Sequence, residues 1–107
     1  MASIPILQIN RAPICQNGQD IIDILNIKFG NLSLISHVEE IELSLDFKRF
    51  IIHFHKTNKL LDEIFDIIDK QHFFPVIYAR TFKHNSFYDL TWDLTLYNPQ
   101  VFKNLPA

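Results

Sequence analysis

Apolar residues in this chain recur in short runs whose period switches between two and about three and a half, the signatures of strands and amphipathic helices. The first run, "IPILQIN", predicts a short strand closed by Arg11-Ala12-Pro13. The turn signal Asn17-Gly18 leads into "QDIIDILNIKFG", where Ile22, Leu25 and Phe29 fall at helical spacing, Asp20 and Asp23 sit near the N-terminal end and Gly30 supplies a stop. "HVEEIELSL" alternates at Ile41, Leu43 and Leu45, and "FKRFIIHFH" follows after a short turn near Asp46, so the two read as an antiparallel hairpin. In the latter strand Phe50, Ile52 and Phe54 face one way and Arg49, Ile51 and His53 the other, with Lys48 off that second face. "TNKLLDEIFDIIDK" predicts a second helix, its apolar face formed by Leu60, Leu61, Ile64, Phe65 and Ile68 and its wet side by Asp62, Glu63, Asp66 and Asp69. The strand "FFPVIYARTF", the turn "KHNS" and the strictly alternating "FYDLTWDLTLY" complete the pattern.

The resulting order, β-α-β-β-α-β with one strand more at the end, predicts an α+β fold of the ferredoxin-like kind, with antiparallel strands and both helices on one sheet face. At 107 residues a single domain is expected, with a core over about residues 5–82 and an added strand and tail over 83–107. A hydrophobic share of 48% against 21% charged residues suits a folded protein. The net charge of −2 gives no overall attraction to polyanions, so any such attraction must come from the distribution of charge. A lone cysteine, Cys15, and a start without the pattern of a secretory signal predict a reducing, intracellular setting, cytoplasmic or nuclear. No apolar run approaches the ~20 residues that span a bilayer, and no membrane association is expected. Abundant Ile, Asn, Phe and Lys match A+T-rich coding, as in a large DNA virus; a virion component is then one expectation.

Several stretches carry a family resemblance. "LQINRAP", with Leu7, Ile9, Ala12 and Pro13, resembles the first strand of an RNA-recognition-motif domain; "IIDILNIKFG" resembles the helix that follows it, and "FKRFIIHF" stands where that family has its octamer. The likeness covers about residues 5 to 80 in element order. It implies a sheet face on which single-stranded RNA bases stack on aromatic side chains. Aligned on Phe54, the octamer here has Arg49 and Ile51 at its two aromatic slots and Lys48 in place of its glycine, while Gln8 fills the hexamer slot.

The face the resemblance implies would comprise Gln8, Lys48, Arg49, Ile51, His53, Tyr78, Arg80, Phe82 and Lys83, with arginine guanidinium planes substituting for missing rings and Tyr78 and Phe82 stacking. Tyr78, Arg80 and Phe82 share one side by strict alternation. Acidic residues crowd the helices and the second strand, whereas Arg11, Lys48, Arg49, Arg80 and Lys83 belong to the first, third and fourth strands. The alternative is a protein-interaction or self-assembly module using the last strand and tail, with Trp92, Leu94 and Phe102 as its apolar contacts.

Other chemistry is set aside. His37, His53 and His55 offer imidazoles on neighbouring strands, but no cysteine or carboxylate spacing accompanies them, and no metal site is expected. Cys15 precedes a helix without an evident base beside it, and the two glycines form no phosphate loop. No cofactor, no small-molecule substrate and no catalytic role are expected.

Overall fold

The computed structural model describes residues 4–30 and 34–98. Its elements are β1 (Leu7–Pro13), α1 (Gly18–Lys28), β2 (Ile35–Glu42), β3 (Phe47–Phe54), α2 (Lys59–Gln71), β4 (Phe74–Lys83) and β5 (Ser86–Leu96). The fold is α+β: five strands form one antiparallel sheet in the order β2-β3-β1-β5-β4.

Helix α1 begins where its orphan amides find partners. Asn17 accepts from the Asp20 amide at 2.9 Å while the Asp20 carboxylate accepts from the Asn17 amide at 2.9 Å, a reciprocal capping box. Asn17-Gly18 is therefore a helix cap rather than a free-standing turn. At the other end Gly30 adopts φ +88°, the left-handed conformation that ends helices and that glycine takes without a Cβ penalty. Asn58 caps α2 through the Leu61 amide at 2.8 Å and also donates to the Phe29 carbonyl at 2.9 Å, joining the start of α2 to the end of α1.

Three register slips depart from simple alternation, one of them in β2 between Ile35 and His37. In β1 the register slips between Ile9 and Ala12, so Arg11-Ala12-Pro13 does not close the strand but continues it along β3, opposite Lys48 and Phe47. In β4 the slip falls between Ile77 and Ala79, leaving Tyr78 as the inserted residue. The β4–β5 turn places His84 and Asn85 at φ 52° and 62°, the two-residue geometry whose twist matches that of the flanking strands.

One sheet face carries the core. Leu7, Ile9, Phe50, Ile52, Phe54, Val76, Trp92 and Leu94 pack there against Ile21, Leu25 and Phe29 at α1 and Leu61, Ile64 and Ile68 of α2. The position beside β1 differs from the sequence expectation. The strand occupying it is β5, paired at Leu7↔Leu96, Gln8↔Thr95 and Ile9↔Leu94, whereas β4 forms the sheet edge. There the buried residues Trp92 and Leu94 of β5 join the core beside Ile9.

Candidate interaction surfaces

Directly opposed residues on antiparallel strands share a face, so the register assigns each candidate side chain to a side. Gln8 lies opposite both Ile51 and Thr95, and His53 opposite His37; these residues, with Arg49, belong to the face away from the helices. At its centre Gln8 is only 6% exposed and Ile51 3%, so the slots where the resemblance calls for stacking rings present little surface. Arg11 rests over the Phe47 ring at 4.8 Å, which places a cation and an aromatic together at the end of β1. Beyond Ile9↔Leu94 the strands β1 and β5 part, leaving a notch lined by Asn10, Arg11, Thr91, Trp92 and Asp93.

Lys48 is on the other side. Its partners Glu42 and Ala12 share the face of Phe50, and its ammonium donates to the Gln16 carbonyl at 2.7 Å and to Glu40 at 2.9 Å. The same Glu40 carboxylate accepts from the Gly18 amide at 2.9 Å, at the N-terminus of α1. The Lys48 hydrogen bond and then the Gly18 amide hold Glu40 below the ordinary carboxylate pKa. Lys48 thus ties the β2–β3 hairpin to α1 and does not belong to the open face, a correction to its expected place.

Tyr78 is corrected likewise. The bulge removes it from the side of Arg80 and Phe82 and stacks its ring on Trp92, centroids 5.1 Å apart and planes at 14°. Trp92 is buried and donates its indole N–H to the Gln16 side chain at 3.0 Å; Leu94 is buried beside it. Neither is available as a surface anchor, because both are needed where β5 passes under the helices. Phe102 lies outside the described residues.

Arg80 and Phe82 stay together on the open side, opposite Asp89 and Phe87. Arg80 is ion-paired with Asp89 at 2.9 Å, an exposed contact that leaves this patch without net charge. Lys83 lies opposite Ser86 next to the turn, on the other side from Phe82.

Past Trp92 the pair β4–β5 has no third strand among the described residues, so residues 79–91 form a two-stranded ribbon. Both its sides are apolar and wet. Phe82 and Phe87 are 60% and 68% exposed on one side, with rings 4.9 Å apart, and Tyr88 and Leu90 are exposed on the other. Sequence reasoning singled out Phe82 as a surface residue but not Phe87, Tyr88 or Leu90; what it lacked was the knowledge that, among the described residues, this half of β5 has no neighbour but β4.

The β2–β3 hairpin brings together a further cluster. His37 and His53 stack with centroids 4.2 Å apart and planes at 9°, and Glu39 meets His53 Nε2 at 2.6 Å. His55 is not in this cluster. Comparisons of the chain with protein-family models, curated proteins and solved structures give no significant match.

Proposed function

We propose that this chain is a non-catalytic protein-interaction module, of RNA-recognition-motif-like, ferredoxin-like design, that docks a protein partner through the β4–β5 ribbon. In this reading β5 takes the fourth ferredoxin-like position and β4 is the added strand. The observation that carries it is the ribbon's exposed apolar residues, the contacting pair Phe82 and Phe87 on one side and Tyr88 and Leu90 on the other, beside the edge presented by β4. Exposed aromatic pairs such as Phe82 and Phe87 mark interaction sites, and aromatic side chains dominate the energetics of such contacts. The unpaired backbone of an edge strand adds a second means of attachment, by extension of the sheet into the partner.

The reading first suggested by the family resemblance, single-stranded RNA binding, retains one supporting observation: the β4–β5 hairpin extends the sheet instead of lying across it, so the face bearing Arg11, Arg49 and His53 is not covered by that hairpin. The placement of Lys48 and Tyr78, and the Arg80–Asp89 pair, weigh against it.

The test compares Arg49→Ala with the double variant Phe82→Ser/Phe87→Ser, each carrying a photo-crosslinking phenylalanine analogue in place of Tyr88. Ribbon docking predicts protein crosslinks in the source cell, or a dimer by light scattering, that vanish in the double variant and persist in Arg49→Ala. Salt-sensitive binding of a random RNA pool, abolished by Arg49→Ala and indifferent to the ribbon, would transfer the function to the sheet face.

A further inference from the structure

His37, Glu39 and His53 meet because of register, not because of proximity in sequence. His37 and Glu39 are two apart on β2 and so project to one side; His53 lies directly opposite His37 on β3. A slip between Ile35 and His37 turns Ile35 towards Phe54 on the core side and frees His37 for the open side. One ligand atom from each of the three residues lies within 4.8 Å of the other two.

We infer that this trio is a binding site for a borderline divalent transition metal, zinc being the type ion. Two imidazole nitrogens and one carboxylate oxygen form a donor set that zinc accepts, with a fourth, open position left to water. Bonds of about 2.0–2.1 Å in tetrahedral geometry put donor atoms about 3.3 Å apart, so the cluster closes on an ion by movements of the order of 1.5 Å. Glu39 and His37 are exposed and half-buried His53 borders solvent, which leaves room for the rotation that aims the two now-parallel rings at a common point. A supporting hydrogen bond is in place: His37 Nδ1 lies 3.1 Å from Ser36 Oγ. With Nδ1–H donating to that hydroxyl, Nε2 is left as the metal-binding lone pair, the tautomer control found around ligating histidines. The ion would replace the His53–Glu39 contact and clamp the edge strand β2 to β3.

The experiment is calorimetric titration of tag-free full-length protein with Zn²⁺, followed by Co²⁺ absorption as a probe of ligand number. One saturable site per chain is expected, weakened at least about tenfold in His37→Ala, Glu39→Gln and His53→Ala and unchanged in His55→Ala. Zn²⁺ raises the melting temperature of the wild type and not of the three variants, since an ion that binds only the folded state stabilises it. Absence of saturable binding, binding indifferent to the three substitutions, or equal loss in His55→Ala overturns the assignment. The three sites are on the solvent side of the hairpin, and circular dichroism of each variant without metal verifies that it folds.

Discussion

Replacing Asn58 by alanine tests how the two helices are held relative to each other. One amide group serves both: its oxygen caps α2 at the Leu61 amide, and its nitrogen donates to the Phe29 carbonyl at the end of α1. Loss of an N-cap of this type costs about 1 kcal/mol. Loss of the second hydrogen bond, part-buried, adds about 0.5–1.5 kcal/mol. The sum for Asn58→Ala is roughly 2 kcal/mol, which for a domain of this size lowers the melting temperature by roughly 8–16 °C. Asn58→Asp separates the contributions, because aspartate keeps the capping oxygen but sets a second acceptor against the Phe29 carbonyl. The assay is urea denaturation followed by far-ultraviolet circular dichroism and by emission of the single tryptophan, Trp92, which is buried in the core. With a slope of about 2 kcal/mol per molar, Asn58→Ala moves the midpoint by about 1 M, and Asn58→Asp by less. A shift below about 0.3 M for alanine, or an aspartate variant as stable as wild type, would refute the double role.

Two further predictions concern the faces of the sheet. Tyr78→Ser costs roughly 2 kcal/mol and alters Trp92 emission, because it removes a ring stacked on the indole, whereas Phe82→Ser stays within about 0.5 kcal/mol; equal effects in the same urea titration would contradict the bulge. Glu40 has a lowered carboxyl pKa in the folded state, so its contribution to stability is present above the unfolded-state value and is lost as pH falls through the lowered one. Glu40→Gln therefore reduces stability at neutral pH and flattens its decline in acid, as read from melting temperatures across a pH series.

Element positions were legible in the sequence because apolar period and capping residues are local. The apolar face of "TNKLLDEIFDIIDK", Gly30 after α1 and the alternation around Trp92 each announced their structure, while the Asn58 cap did not figure in that reading. Sidedness was less legible. Strict alternation put Tyr78 beside Phe82, and a single inserted residue in β4 moved it into contact with Trp92. Strand order was not legible either, since both β4 and β5 carry apolar residues enough to lie beside β1. The His37–Glu39–His53 cluster escaped for the same reason: Glu39 joins the two histidines only once the β2–β3 register is known.

The insertion of β5 between β1 and β4 also orders events at the ribosome. Until the last strand has been synthesised, β1 is left with one raw backbone edge and β4 has no place in the sheet. Pairing between β1 and β5 is slow to form, because a long loop must close before any contact rewards it. The nascent chain thus passes through a stage in which an apolar strand waits uncovered, the kind of species that chaperones hold and that aggregates at high expression. Production of the protein should be governed less by its final stability than by how soon those closing residues emerge.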